Sequence, residues 1–181
     1  MQELKLIFPK KQYEQQVLNY KNEFEINNEI IHGSAGLEEY NNFDEWLSYI
    51  INNSKKETVR KGLVPSSTYL AVRIYDKRVI GMIDIRHELN EFLYKFGGHI
   101  GYSVRKSERR KGYAKEMLHL ALEKCKDMNM KKVLITCDKE NIPSAKTIIS
   151  NGGILENEVL EGEKLNKDIG YTYSMSYIYI Y

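Results

Sequence analysis

An apolar strand, a basic turn that contains glycine and an amphipathic helix follow one another without interruption in the segment Gly101–Ala114. The first backbone N–H groups of a helix have no partner within the helix, so together with the helix dipole they can bind a pyrophosphate. Gly112 suits such a site because it can adopt a positive φ angle and has no side chain to hold a phosphate away from the backbone. The segment therefore predicts a strand, a loop and a helix, with an anion site where the helix begins.

The residues on either side extend this segment into a larger unit. Ile100–Val104 reads as the strand, and an apolar face with steps of four and three residues predicts a helix over Tyr113–Met128. That face consists of Ala114, Leu118, Ala121, Cys125 and Met128. After the helix, the largely apolar run Lys132–Cys137 is typical of a buried parallel strand. We therefore predict a βαβ unit from Ile100 to Cys137.

The order Arg109, two residues, Gly112, one residue, Ala114 after a strand resembles the acetyl-CoA pyrophosphate loop of the GNAT N-acetyltransferase superfamily. In that family the loop reads Arg or Gln, two residues, Gly, one residue, and Gly or Ala. The resemblance implies an enzyme that moves an acetyl group from its cosubstrate, acetyl-CoA, to a primary amine of a small molecule or peptide. It also implies direct attack of the amine in a ternary complex.

The segment after the second strand resembles the family in the same order. Asn141 can cap a helix that tolerates Pro143 in its first turn and ends near Gly152. The family has Asn there, then two residues, Ala or Ser (here Ser144), and later an aromatic residue and Gly. Ile148 departs from this pattern, because it stands where many members have a tyrosine that acts as general acid. Isoleucine has no proton to donate.

The resemblance implies an α/β (α+β) fold with a mixed, mostly antiparallel, twisted sheet of about seven strands and about four helices. Two parallel strands of this sheet splay apart at the acetyl-CoA site. We expect residues 1–181 to form one N-acetyltransferase domain, since the chain is long enough for one domain and short for two. The remaining expected elements are strands at Leu4–Phe8, Tyr69–Tyr75, Val79–Ile85, Ile154–Leu160 and Tyr171–Tyr181, and helices after Pro9 and from Asn42 to Ile51.

The resemblance also assigns contacts to the coenzyme. The pantetheine arm is expected to pair with backbone groups of Tyr102, Ser103 and Val104, where the parallel strands part. The backbone N–H of Tyr102 is expected to face the thioester oxygen and to act as an oxyanion donor. Asn141 and Ser144 are expected to touch the coenzyme from the next helix. The expected phosphate-binding residues are Arg109, Arg110, Lys111, Gly112, Tyr113 and Ala114, with Arg105, Lys106 and Lys115 around them.

Three residues are candidates for the base that removes the proton from the amine. An amine is protonated near neutral pH, and His or Glu is the usual base. His99 lies at the start of the signature strand, and His87 and Glu88 lie at the end of the strand expected to pair with it. The family's occasional carboxylate base would fall at Gly98, which cannot serve. Each of the three candidates is also compatible with a structural or solvated role.

Composition limits the partners. The 27 basic and 25 acidic residues give a formal charge of +2, which offers no global argument for a nucleic acid or a membrane as partner. Cys125 and Cys137, the only cysteines, lie in an apolar helix face and an apolar strand, which disfavours a disulfide framework or a metal site. With no signal-peptide pattern at Met1 and no long apolar run, we expect a cytoplasmic protein, either a monomer or a homodimer.

Two other functions remain open at this point. A module that binds acyl-CoA without turnover would explain Ile148, and the dense basic segment Arg105–Lys115 would suit a nucleic-acid surface. The acceptor amine is expected to contact residues 27–53 and 156–181. Several acidic side chains there slightly favour a cationic amine such as a polyamine, an aminoglycoside or a peptide amine: Glu38, Glu39, Asp44, Glu45, Glu156, Glu158, Glu161 and Glu163.

Overall fold

The computed structural model describes residues 3–161 and 172–180. The elements within these ranges are β1 Leu4–Ile7, α1 Glu14–Ile26, α2 Phe43–Asn53, β2 Ser66–Arg73, β3 Val79–Arg86, β4 Ile100–Val104, α3 Tyr113–Asp127, β5 Lys132–Asp138, α4 Ile142–Ile149, β6 Ile154–Glu161 and β7 Thr172–Ile180. The expected α/β architecture is thus confirmed, with seven strands and four α-helices in the described ranges. Most of the polar loop predicted between the last two strands lies outside the described residues.

The strands form two antiparallel ladders instead of one continuous sheet. The first has the order β1-β2-β3-β4, and the second has the order β5-β7-β6. In the first ladder Asp84 of β3 lies opposite Gly101 of β4. Helix α3 connects β4 to β5, and the two ladders adjoin where these strands contact each other.

Helices cover both faces of the first ladder, which explains why β3 is buried along nearly its whole length. On one face α1 and α2 bring Tyr20 and Trp46 into a core with Met82. On the other face α3 packs Met117 and Leu118 against β3 and β4. Strand alternation therefore directs Met82 toward α1 and α2, and Ile83 and Ile85 toward α3.

The helix starts follow the caps that the sequence supplies. Asn42 accepts a hydrogen bond from the backbone N of Asp44 at 2.7 Å at the start of α2, and Asn141 accepts one from Ser144 at 3.2 Å at the start of α4. The connection before β4 contains a π-helical turn at Leu93–Gly97. No helix in the described part of the chain combines the length and hydropathy needed to cross a membrane.

Candidate active site

Strands β4 and β5 meet at one end and separate at the other, forming a fork. At the closed end the backbone N of His99 donates to the carbonyl of Leu134 at 2.7 Å. Farther along, the hydroxyl of Tyr102 lies 2.8 Å from that of Ser144, which follows β5 at the start of α4. The chains therefore leave the contact in the same direction, as parallel strands do. The sequence analysis expected the coenzyme site between two such parallel strands, and that assignment stays a prediction.

His99 closes the fork with its side chain as well as its backbone. Its Nδ1 accepts a hydrogen bond from the backbone N of Leu134 at 2.9 Å. Burial, helped by the nearby charge of Arg86, lowers the pKa of His99 to about 4. Its ring is therefore neutral at physiological pH, and the lone pair of Nδ1 is already engaged. Such a histidine is better suited to hold two strands together than to take a proton from an amine.

The other two base candidates lie at the same end of the fork. Arg86 donates its backbone N to the carbonyl of His99 at 2.8 Å, which places the following residue, His87, beside Gly98. His87 Nε2 lies 2.9 Å from Ser67 Oγ, and burial lowers the pKa of His87. Glu88 is exposed. The structure thus places His87 beside the residue that precedes His99, and Glu88 follows His87 at an exposed position.

Asp84 is a buried carboxylate near the fork that the sequence analysis missed. Its Oδ1 accepts a hydrogen bond from Thr68 at 2.8 Å, and its side chain forms no ion pair within the described residues. Burial raises the pKa of Asp84. It lies opposite Gly101, on the face that Met82 turns toward α1 and α2. A single acidic residue within the apolar run of β3 was the available sequence signal.

The connection between α1 and α2 lies directly on β4. A Cβ atom at Gly33 would come within 2.2 Å of the carbonyl oxygen of Gly101. Ser103 Oγ donates to the carbonyl of His32 at 2.6 Å, and the Tyr20 hydroxyl donates to the carbonyl of Ser103 at 3.0 Å. The face of β4 toward α1 is therefore lined by this connection, while the Tyr102 side chain extends to the opposite face.

The loop before α3 has the conformation that the glycine predicts. Gly112 has a φ angle of +85°, and a Cβ atom there would meet nothing within 4 Å. Arg110 also has a positive φ angle, +64°. A cleft of about 560 Å³ adjoins the loop, lined by Gly112, Lys115, Glu116, His119, Leu120, Ser150 and Asn151. The start of α3 thus opens onto space that a nucleotide could fill.

The basic side chains around this loop are less free than the sequence analysis expected. Arg105 is buried and paired with Glu23 at 2.5 Å, and Arg109 is paired with Glu29. Lys111 Nζ lies 2.8 Å from Glu108. Lys106 bonds to the side chain of Asn27. Within the described residues, the basic side chains of this segment without such a partner are Arg110 and Lys115.

The expected contacts from α4 also have protein partners. The side chain of Asn141 caps the helix, and the Ser144 hydroxyl bonds to that of Tyr102. Burial raises the pKa of Tyr102 to about 12, so this phenol is protonated at neutral pH. Ile148 is completely buried in the core, and Cys137 is a free, half-buried thiol at the end of β5.

Three of the acidic side chains expected near the acceptor form ion pairs with lysines. Asp44, Glu156 and Glu158 pair with lysines at 2.6, 2.6 and 2.7 Å. Glu163 lies outside the described residues, as does the side chain of Glu161. The residues with described side chains include no group of three His, Cys, Asp or Glu that could hold a metal ion. The slight preference for a cationic amine stays a prediction.

Comparisons with known proteins agree with this geometry. A family model described as an acetyltransferase (GNAT) domain matches residues 35–154. The microcin C7 self-immunity acetyltransferase MccE, solved with acetyl-CoA and AMP, is 19% identical with a TM-score of 0.68, over 100% of this chain and 94% of that one. The ribosomal-protein-S5-alanine acetyltransferase from Vibrio fischeri is 15% identical with a TM-score of 0.70, over 99% and 94%.

A third solved structure has a different acceptor. The spermidine N-acetyltransferase from Vibrio cholerae, in complex with CoA and spermine, is 16% identical with a TM-score of 0.64, over 98% of this chain and 95% of that one. No curated protein sequence matches the chain significantly. At these identities the likeness to solved structures concerns the fold.

Proposed function

The chain belongs to the GNAT acetyltransferase family, and from this membership we propose that it transfers an acetyl group from acetyl-CoA to a primary amine. The observation that carries the proposal is the fork between β4 and β5, which leads to a helix start where Gly112 has a positive φ and open space around it. A Cβ atom at Gly112 would project into that space, so the loop fits a phosphate that needs close access to backbone N–H groups.

The coenzyme is proposed to lie along the fork. Its pantetheine arm would pair with backbone groups of Tyr102, Ser103 and Val104, and its phosphates would bind the N–H groups at Gly112, Tyr113 and Ala114. Arg110 and Lys115 are the cations best placed to approach the phosphates, because their side chains lack ion pairs within the described residues. Arg109 and Lys111 would contribute after exchanging their carboxylate partners for phosphate.

The Tyr102 N–H is proposed to stabilise the charge that develops on the thioester oxygen during attack. In the overall reaction the amine nitrogen forms a bond to the acetyl carbon, the carbon–sulfur bond breaks, and the amine loses one proton while the thiolate gains one. A buried carboxylate with a raised pKa is a suitable base, so Asp84 joins His87, Glu88 and His99 as a candidate. Because His99 Nδ1 is engaged, Asp84 and His87 rank above it.

Ligand protection tests the coenzyme site directly. A ligand at about 100 times its dissociation constant stabilises the native state by roughly 2.7 kcal/mol. Acetyl-CoA and CoA should therefore raise the melting temperature, and calorimetry should show binding. If neither measurement changes, the proposed coenzyme site is wrong.

A thiol-release screen across polyamines, aminoglycosides and peptide amines then tests catalysis. Release above the hydrolysis background with one class identifies the acceptor. Coenzyme binding without release for any amine class would support the non-catalytic acyl-CoA module, which the buried Ile148 also favours.

A further inference from the structure

Glu108 immediately precedes the phosphate loop and is the centre of a buried charge cluster. Its side chain is 3% exposed. Its Oε2 lies 3.0 Å from Arg73 NH1 and 2.8 Å from Lys111 Nζ, and its Oε1 lies 2.8 Å from Arg78 NH1. Two of these cations, Arg73 and Arg78, belong to the β2–β3 hairpin, more than 25 residues away in sequence.

Arg73 contacts both sides of the phosphate loop with one nitrogen. Its NH1 donates to Glu108 at 3.0 Å and to the hydroxyl of Tyr113 at 3.2 Å. Glu108 is the last residue before the loop, and Tyr113 is the first residue of α3. Asp76 holds the other side of the guanidinium, accepting from Nε at 3.0 Å. The hairpin thus fixes the two ends of loop 109–112 relative to each other.

The loop needs such support because its backbone is in a less favourable region. Arg110 adopts a φ of +64°, which costs a residue with a Cβ atom roughly 1 kcal/mol or more. Burial alone would raise the pKa of Glu108, yet the hydrogen bond from Lys111 and the charges of Arg73 and Arg78 leave that pKa lowered. The carboxylate is therefore ionised and attracts all three cations at neutral pH.

We propose that Arg73 and Glu108 are positioning residues that hold the phosphate loop in its coenzyme-binding conformation before the coenzyme arrives. This inference rests on the proposed function, since it assumes that the loop binds the phosphates of acetyl-CoA. Neither residue needs to touch the coenzyme. Because they order the loop in the free protein, coenzyme binding does not have to supply the free energy of ordering it.

Simple electrostatics makes the opposite prediction, which gives the test its power. Glu108→Gln removes a negative charge beside a site for an anion, so long-range attraction alone would strengthen binding. Loss of positioning would weaken it instead. Glu123→Gln is the matched control, because it removes the same charge from the exposed outer face of α3, away from the cluster.

The experiment compares acetyl-CoA with acetyl-pantetheine, which lacks the nucleotide and its phosphates. For Glu108→Gln we expect kcat/KM for acetyl-CoA to fall by about tenfold to a hundredfold, the range for a lost charge-assisted hydrogen bond. For acetyl-pantetheine we expect a change below about twofold. Arg73→Lys keeps the charge but cannot contact Glu108, Asp76 and Tyr113 together. It should therefore show the same selective loss of kcat/KM for acetyl-CoA. If Glu108→Gln does not fold, the two thioesters are compared with Arg73→Lys instead.

Each outcome has one meaning. If the wild-type protein does not bind acetyl-CoA in calorimetry, the proposed function fails. If the wild type binds and Glu108→Gln binds equally or more tightly, the positioning role is overturned. An equal loss for both thioesters would also overturn it, because a general structural defect does not distinguish a substrate with phosphates from one without them.

Discussion

The two ends of the cleft are built in different ways. At the proposed phosphate end, the loop and helix start come from adjacent residues, and a few long-range ion pairs such as Arg73–Glu108 hold them in place. At the fork end, Gly98 and His99 meet Leu134, and the connection carrying Gly33 arrives from another part of the chain. The first end depends on local backbone conformation, whereas the second depends on contacts between distant segments.

This difference predicts how each end responds to substitution. A change in loop backbone should remove coenzyme binding and leave the fold intact, because the loop contributes little to either core. A change at the fork should alter stability together with rate, since the same side chains hold the two ladders together. The predictions below test that division, beginning with the largest expected effect.

Gly112→Val should abolish detectable binding of acetyl-CoA. The branched side chain resists a φ of +85° and fills the open space proposed for a phosphate. Gly62→Val is the matched control, because Gly62 has a φ of +90° and also no atom within 4 Å of a Cβ position. Calorimetry on both folded variants checks the prediction. Normal affinity in Gly112→Val would place the phosphates elsewhere and break the comparison.

Removing the working base should lower turnover by about 10² to 10⁴, with partial recovery at higher pH as free amine becomes available. The variants are Asp84→Asn, His87→Ala and Glu88→Gln, measured across pH with the best amine from the screen. We expect the large loss in Asp84→Asn or His87→Ala. Wild-type rates in all three would leave proton removal to solvent, and the enzyme would then act mainly by positioning the amine.

His99 should make the fork sensitive to acid. Its folded pKa of about 4 lies below the ordinary value of 6.5, so the unfolded chain binds more protons between these two pH values. This contribution to stability is complete above about pH 6.5 and is lost as the pH falls toward 4. Chemical denaturation of wild type and His99→Gln across this window measures it. Parallel stability curves for the two proteins would show that His99 does not hold the fork.

The two cysteines should give the smallest effects. Cys125 is fully buried, and burial raises its pKa to about 12, so Cys125→Ser should cost about 1–3 kcal/mol of stability by placing a hydroxyl in the core. Cys137→Ser should cost less, because Cys137 is only half-buried. Neither should change kcat much. A large loss of rate in Cys137→Ser, with stability unchanged, would give that thiol a part in the reaction.

The contrast also explains what the sequence could predict. Strand β4 and helix α3 follow from apolar periodicity and from Gly112, both of which are local signals, and their observed bounds agree with prediction to within a residue. The pairing of Arg105 and Arg109 with acidic residues was missed, because Glu23 on α1 and Glu29 just after that helix lie about 80 residues earlier. Periodicity contains no information on which distant charges will meet.

At the fork end, the sequence predicted which residues lie in the region but not how their side chains are oriented. His87, Glu88 and His99 were expected to cluster, and the β3–β4 hydrogen bonds place His87 beside Gly98. The direction of the His99 ring depends on the kink at Gly98, whose φ is +61°, and no single-sequence pattern specifies that kink. Asp84 was missed because an acidic residue within a strand is usually expected at an exposed position.

The hydrogen bonds between His99 and Leu134 fix the start of β4, so the length of this strand sets a distance within the molecule. The fork fixes the start of this strand and the loop before α3 follows its end, so the five residues of β4 help to set the distance between the fork and that loop. Inserting one residue would do more than lengthen the strand, because neighbouring side chains on a strand point to opposite faces. Tyr102, which reaches Ser144, and Ser103, which reaches His32, would exchange sides. The length of β4 is therefore tied to its orientation, and a one-residue insertion would keep both only where a β-bulge absorbs the extra residue.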